Sequence, residues 1–417
     1  MKNNLNKKTK KPISIYIHIP FCKSRCGYCD FLTFACGSNY YEPYKNALIK
    51  EILEHDQLHN YNIISIFIGG GTPTVLPPSF IAEILLALGT YNIVNNAEIT
   101  VEANPGTLSL QMLRMLKNYG VTRLSIGLQA WQNNILKKIE RGHKLSDFLI
   151  NYNHARKIGF NNINVDLIFS WPNIIGNKVS STLFSEKSLY NKNSPIEVNQ
   201  KISFKDWHTT LKNVANLNPN HISLYSLIIE ENTPFSKAYE DGRLILQTEE
   251  LDRRMYHHAI KYLSKKGYNH YEISNFSKQG KECKHNLVYW QRGEYIAFGL
   301  GAHSFFNEQR TRNITSLSRY IQVLNAKNYT RQKITKEVVQ ITKKDAMEEF
   351  MYLGLRCIDG ISIEQFEKTF NKNISKIFGI SISSNIEKGL LQKDNDKISL
   401  TSKGLDISNV VMSDFLL

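Results

Sequence analysis

The chain has 417 residues, 42% apolar and 11% aromatic, and a formal net charge of +15 at neutral pH. That length suits one large domain and a smaller one with ample core, and the composition excludes a disordered or fibrous chain. No apolar run approaches the roughly 18 residues of a membrane helix. The six cysteines, three of them in one motif, are not a disulfide framework, so a reducing cytoplasm fits.

Residues 1–12 read as a basic, Asn-rich tail with no apolar stretch behind it, which is not a secretory signal. The lysines are spread along the chain among abundant Asn and Ile, which fits AT-biased coding as well as an anionic partner. In Ile15-Tyr16-Ile17-His18-Ile19 apolar and polar residues alternate, predicting a strand that Pro20 ends by removing a donor. Cys22, Cys26 and Cys29 follow as C-x-x-x-C-x-x-C. Structural zinc takes four ligands, commonly as two separated pairs. Three thiolates on one loop suit instead a cubane iron–sulfur cluster with one iron left open.

The stretch Y-I-H-I-P-F-C-x-x-x-C-x-Y-C after a first strand resembles the radical S-adenosylmethionine (SAM) family. Its form narrows the resemblance to the branch holding oxygen-independent coproporphyrinogen III oxidase and the heme chaperone HemW. The resemblance implies a 4Fe–4S cluster on Cys22, Cys26 and Cys29, its open iron chelated by the amine and carboxylate of SAM. An electron from the cluster then cleaves the sulfonium to a 5′-deoxyadenosyl radical. The implied fold is α/β, a partial (β/α)6 barrel with a C-terminal domain beside its mouth. The oxidases carry a fourth cysteine two places after the third. Here that place is Phe31, in Cys29-Asp30-Phe31, which favours the heme chaperone.

Strand and helix patterns then alternate. Strands are predicted at 63–68, 98–102, 122–127, 162–169 and 222–227, with helices at 40–59, 79–91, to about 119, 129–139, 145–158 and 205–217. Such alternation implies a parallel sheet with helical crossovers. The barrel and its extension would fill 13–305, with 306–344 a connecting region. The stretch 173–203, rich in Ser, Asn and Lys, far exceeds the usual connection of about 2–6 residues and reads as an inserted, mobile loop. Helical patterns at 345–356, 362–371 and 382–390, a strand at 397–401 and a last helix predict a winged-helix-like α+β domain over 345–417. Its second helix mixes Glu364 and Glu367 with Lys368 and Lys372, so it is no phosphate reader and no nucleic-acid partner is expected.

Gly69-Gly70-Gly71-Thr72 closes the second strand, where α/β folds bind ligands and bare backbone can approach one. By the resemblance, Gly70, Gly71 and Thr72 meet the amino-acid end of SAM. Glu102, in E-A-N-P-G-T, could accept both hydroxyls of a ribose. Tyr16, Gln129 in G-L-Q-A and Arg141 in I-E-R-G-H match further SAM contacts of the branch, and an arginine can hold a carboxylate bidentately. Asp166, in N-V-D-L-I-F, has apolar neighbours, where an acid is costly unless paired. It implies a polar ligand or a nearby cation.

His285-Asn286-Leu287-Val288-Tyr289-Trp290 resembles the heme-associated motif of the chaperone branch. The resemblance makes His285 an iron ligand, a role that suits neutral imidazole, with Tyr289 and Trp290 against the porphyrin. Cys283 reads as an ordinary thiol, and it, Cys36 and Cys357 are not expected to hold the cluster. Residues 298–304, F-G-L-G-A-H-S, offer another glycine-rich approach, and Ser170-Trp171-Pro172 departs from the glycine and leucine that relatives often carry before this proline.

The resulting expectation is a cytoplasmic chaperone carrying a 4Fe–4S cluster and SAM. Its cargo is heme, and its recipients are respiratory hemoproteins at the membrane surface; a homodimer is compatible. The alternative is an enzyme that oxidatively decarboxylates coproporphyrinogen III, and Phe31 and His285 separate the two. A nucleic-acid-modifying enzyme would draw on the charge and the C-terminal pattern, but no basic and aromatic ribbon accompanies them.

Overall fold

The alternation that opens the chain runs through its first six strands. In the computed structural model, which describes residues 10–35, 37–174 and 202–417, these are β1 (Lys11–Ile19), β2 (Tyr61–Gly70), β3 (Ile93–Ala103), β4 (Arg123–Gln129), β5 (Ile163–Phe169) and β6 (His221–Ser226). Helices α1 (Tyr41–Leu53), α2 (Pro78–Leu88), α3 (Leu110–Asn118), α4 (Asn133–Lys138), α5 (Leu145–Ile158) and α6 (Phe204–Asn216) connect them. Consecutive strands pair in parallel, which requires a crossover at each step.

Ile13, Ile15, Ile17 and Ile19 of β1, with Leu124, Ile126 and Leu128 of β4, are buried in one core with the helices. Each such side chain contributes about 1.5–3 kcal/mol. The alternate positions carry Ser14, Tyr16 and His18, then Glu98 and Glu102, Arg123 and Ser125, Asn164 and Asp166. The period of two therefore builds a barrel whose outer face is apolar and whose lumen is polar. That lumen is where the candidate chemistry collects.

The sheet continues past these strands on both sides. After α7 (Pro234–Glu240) and α8 (Glu249–Lys265) come β7 (Asn269–Glu272), β8 (Asn275–Ser277), α9 (Lys284–Trp290), β9 (Tyr295–Phe298), β10 (His303–Phe306), β11 (Gln309–Asn313), α10 (Leu317–Asn325) and β12 (Thr335–Gln340). The twelve strands run β12-β11-β10-β9-β1-β2-β3-β4-β5-β6-β8-β7. The 306–344 stretch, read as a connecting region, supplies β11 and β12 of the same sheet, with α10 between them.

Local chemistry explains most element ends. Gly159, at φ 95°, stops α5, and the Ser109 hydroxyl caps α3 by accepting from the Met112 amide at 3.0 Å. Gln129 ends β4 with φ 73° instead of starting a helix, and α4 begins four residues later. Most of the inserted loop, 175–201, lies outside the described residues. Its flanks are ordered structure: Asn173–Ile174 pairs with Leu244–Ile245, and Ser203 and Asp206 form the capping box of α6.

The C-terminal unit comprises α11 (Lys343–Gly354), α12 (Ile363–Phe370), α13 (Ile374–Glu387), a three-stranded antiparallel sheet and two short final helices. Helix α13 starts eight residues before the predicted 382, because Asn373 caps it there. Met351, Phe366, Phe370, Phe378 and Phe415 centre a second core. The unit covers the otherwise bare edge of β7: Ile358 N donates to Tyr271 O at 3.1 Å and Ile273 N to Arg356 O at 3.0 Å. Buried Glu349 also accepts from Arg292 and Arg310, each at 2.8 Å. Among the described residues no helix is long and apolar enough to cross a membrane.

Candidate functional site

Pro20 releases the chain from β1 into the cysteine loop, which is pinned at its neck. Phe34 N donates to Pro20 O at 2.7 Å and Cys22 N to Phe34 O at 3.1 Å. Arg25 clamps the far side by donating to Cys29 O at 3.0 and 3.2 Å. The three thiols are half-buried and free of disulfides. Burial pushes the Cys22 thiol up and the Cys29 thiol up to about 11, so metal binding must displace protons. Among the described residues no three His, Cys, Asp or Glu side chains converge on one ion. A cubane does not ask for that, since each thiolate takes a different iron. One loop with three spaced, half-buried thiols therefore fits the cluster.

The glycine stretch closes against this loop. Gly71 N donates to Ile19 O at 2.8 Å and Thr72 N to Phe21 O at 2.7 Å. Gly70 has φ 104°, and a Cβ there would lie 2.3 Å from the His18 ring, so only glycine lets the strand end pass this histidine. Thr72 Oγ1 stands 3.5 Å from Cys22 Sγ and accepts from Asn104 Nδ2 at 2.7 Å. Asn104 Oδ1 accepts from Arg141 Nη2, which also donates to Gly127 O at 2.7 Å. Arg141 Nη1 reaches Cys26 Sγ and the Tyr28 hydroxyl, both at 3.5 Å. A hydrogen-bonded arc thus runs from Cys22 to Cys26 through the ends of β2, β3 and β4. Asn104 is its keystone, and sequence reading passed over it although it stands two residues after Glu102.

Glu102 Oε2 accepts from Gly70 N at 3.1 Å. Burial, reinforced by the charge of Asp166, pushes its carboxyl up to about 7. Asp166 accepts from Asn164 Nδ2 at 2.7 Å and Ser125 Oγ at 3.0 Å. Burial raises its acid range too. Tyr16 OH lies 3.1 Å from His18 Nδ1, and His18 Nε2 is 2.9 Å from Leu32 O. Gln129 Oε1 and Arg141 Nε are buried and have no hydrogen-bond partner among the described residues. Unmet buried polar atoms beside the bare backbone of Gly127 fit a polar ligand such as SAM. The expected carboxylate clamp of Arg141 is mostly committed elsewhere, with both of its Nη atoms engaged within the protein.

His285 takes a different place. It is fully buried in α9, its ring 5.3 Å from Phe67, which in turn stacks on Tyr16 at 6.3 Å. Its Nδ1 is 2.9 Å from Ser65 Oγ and its Nε2 2.8 Å from Tyr289 OH. Burial lowers the imidazole to about 3, so the ring is neutral. His285 therefore forms part of the barrel wall beneath Tyr16, both nitrogens engaged, and it reaches iron only if Tyr289 lets go. Trp290 lies on the other side of the helix, under the Arg356 guanidinium at 4.3 Å. Trp171 is buried against Tyr28 at 5.4 Å, in a cluster with Phe235 and Ile202, so its bulk braces the cysteine loop. Gly299 presses on β1, where a Cβ would meet His18 O at 2.6 Å.

The Radical SAM superfamily model matches residues 16–182 and the HemN C-terminal domain model residues 341–407. The heme chaperone HemW of Lactococcus lactis subsp. lactis is 35% identical over 411 residues, covering 98% of both chains. That of Bacillus subtilis is 34% identical over 406 residues, covering 97% of this chain and 99% of the relative. Among solved structures, coproporphyrinogen III oxidase (HemN) from Escherichia coli superposes with a TM-score of 0.79 at 21% identity, over 98% of this chain and 90% of that one. The last likeness concerns the fold alone.

Proposed function

Because the chain belongs to the heme chaperone HemW family of the radical SAM superfamily, we propose that it binds heme and passes it to hemoproteins. Respiratory hemoproteins at the membrane surface are the proposed recipients, and the cytoplasm the proposed compartment. The observation that carries the reading is the full-length likeness to relatives named for heme chaperoning.

In this proposal Cys22, Cys26 and Cys29 hold a 4Fe–4S cluster, and Tyr16, Gly70, Gly71, Thr72, Glu102, Gln129, Arg141 and Asp166 line the SAM cleft. A bound cluster would supply an electron, and SAM a sulfonium able to take it. The protein's own part is to bind and orient: the Cys22–Thr72–Asn104–Arg141–Cys26 arc holds the loop, and Glu102 meets a ribose. Heme engages the α9 motif, where His285 is the candidate ligand once its Nε2 leaves Tyr289.

A second reading, oxidation of coproporphyrinogen III, draws on the fold likeness to the oxidase. Phe31 stands against it, filling the place of the oxidases' fourth cysteine with an exposed phenyl ring, 61% accessible. Incubating the anaerobically reconstituted protein separately with heme and with coproporphyrinogen III tests both. A heme absorption band without protoporphyrinogen formation supports the chaperone; turnover would replace it with the oxidase.

A further inference from the structure

The F-G-L-G-A-H-S stretch turns the chain from β9 into β10 through Gly299 and Gly301, at φ 105° and 65°, left-handed values that glycine adopts without strain. Pairing then fixes the register. Tyr16 of β1 stands beside Ala297 of β9, Tyr295 of β9 opposite Phe305 of β10, and His303 of β10 opposite Arg312 of β11. Arg312 in turn opposes Glu337 of β12. Alternate residues of a strand share a face, so Tyr16, Tyr295, His303 and Arg312 lie on one continuous face, the one that lines the lumen. The α9 motif meets the same face, with the Tyr289 ring 5.0 Å from His285 and 4.6 Å from Tyr295.

Two arginines on this face differ in what they hold. Arg310 donates to Glu349 at 2.8 Å and lies over the Phe305 ring at 4.7 Å, so it is committed to the C-terminal unit. Arg312 is half-buried. Among the described residues its Nε is buried without a hydrogen-bond partner, and its guanidinium joins no ion pair. Glu337 faces it across the ladder from an exposed position on the edge strand. Burial and then the Arg312 charge hold the His303 imidazole low, against the pull of Glu337, so the ring is neutral and keeps one N–H to donate. A buried donor left unmet is costly. The ligand that a guanidinium fork matches is a carboxylate, held by two parallel bonds.

We infer that Arg312, with His303 beside it, is an anion subsite that takes a propionate carboxylate of the heme cargo. The inference rests on the heme-binding reading above and adds to it a recognition element for the acidic edge of heme; iron ligation stays with His285. Charge complementarity decides the occupant. Heme brings two carboxylates, and Arg312 is an uncommitted cation on the face that α9 shares. The subsite discriminates by charge and hydrogen bonding, because a buried donor left unpaired penalises a cargo that lacks the carboxylate.

The test titrates the full-length, cluster-loaded protein with heme and with heme dimethyl ester, whose esterified propionates carry no charge, and follows the absorption of the bound porphyrin. Wild type, Arg312→Gln, Arg312→Lys and Glu337→Gln are compared, with SAM titrated in parallel. The wild type should prefer heme to the ester about tenfold or more, the effect of one charge-assisted hydrogen-bonded contact. Arg312→Gln should lose that preference while the absorption maximum and SAM affinity stay as in the wild type. Arg312→Lys keeps the charge without the fork and should fall between. Glu337→Gln removes an opposing carboxylate from an exposed position and should tighten heme binding. A wild type without the preference, or Arg312→Gln with all of it, would overturn the subsite. Weakened SAM binding with the heme preference intact would also overturn it and give Arg312 to SAM. A wild type that binds neither porphyrin would overturn the heme-binding reading itself.

Discussion

The Asn104 side-chain amide donates to Thr72 Oγ1 across 2.7 Å, and through this bond the ends of β2 and β3 are tied to the cysteine loop. Asn104 also accepts from Arg141, so one amide holds the two arms that reach Cys22 and Cys26. Replacing it with alanine leaves a buried guanidinium and a threonine hydroxyl without their partner. A cost of about 1–3 kcal/mol is expected, seen as faster loss of iron on exposure to air or chelator. Iron loss at the wild-type rate would remove Asn104 from the support of the loop.

The cysteines divide by position. Serine at Cys22, Cys26 or Cys29 should each abolish a full 4Fe–4S cluster, whereas serine at Cys283 or Cys357 should leave iron and sulfide counts unchanged. Cys283 is buried beside Glu98, its sulfur 3.5 Å from Oε1, remote from the loop in the hydrogen-bond network. Cys36 lies outside the described residues and is expected to be equally dispensable. A complete cluster in Cys26→Ser would contradict the assignment.

Glu102 provides a pH signature. Burial and then Asp166 raise its carboxyl from 4.5 to about 7, so the native empty protein binds a proton there that the unfolded chain releases. Its contribution to stability is present below about pH 4.5 and is lost as pH rises through about 7. Glu102→Gln should flatten this decline in melting temperature. SAM affinity should run the other way and strengthen as pH rises through that range, because the ionised carboxylate accepts ribose hydroxyls. Parallel pH profiles for variant and wild type would refute the assignment.

His285 supports the barrel whatever its relation to iron. His285→Ala should lower stability by about 1–3 kcal/mol, the cost of leaving Ser65, Tyr289 or both unsatisfied. It should also weaken SAM binding, because Phe67 carries Tyr16 on one side and His285 on the other. Thermal unfolding and SAM titration of the purified variant decide this. An unchanged SAM affinity would separate the wall from the cleft.

Phe31 predicts an inability. The reduced, SAM-loaded wild type should leave coproporphyrinogen III unconverted under anaerobic conditions. Appearance of protoporphyrinogen by fluorescence after oxidation of the products would reverse this expectation.

Much of the scaffold was legible from residue order because its causes are local. The period of two in Ile15 to Ile19 marks a strand with one apolar face wherever it packs, and helix 145–158 ends where Gly159 permits a left-handed turn. The cysteine loop belongs to the same class. Its three thiols fall within eight residues, so their closeness needs no tertiary folding. Gln129 was misread as the start of a helix because a single residue at φ 73° ends a strand without any composition signal, and the strands within 306–344 showed no pattern of their own because strand pairing at a sheet's edge is chosen by the partner.

What only the tertiary structure decided is which distant residues meet. Arg141 and Cys26 are 115 positions apart, and Ser65 and His285 are 220 apart. Each contact depends on strand register and on the face a side chain takes after packing. The motif around His285 could be recognised as a string, yet its division between the lumen, where His285 meets Tyr289, and the C-terminal unit, where Trp290 meets Arg356, could not. That division follows from how α9 lies against β2 and against the C-terminal unit. Both surfaces are built by residues distant in sequence, whose placement is fixed by burial of the two cores and by the parallel pairing of the sheet.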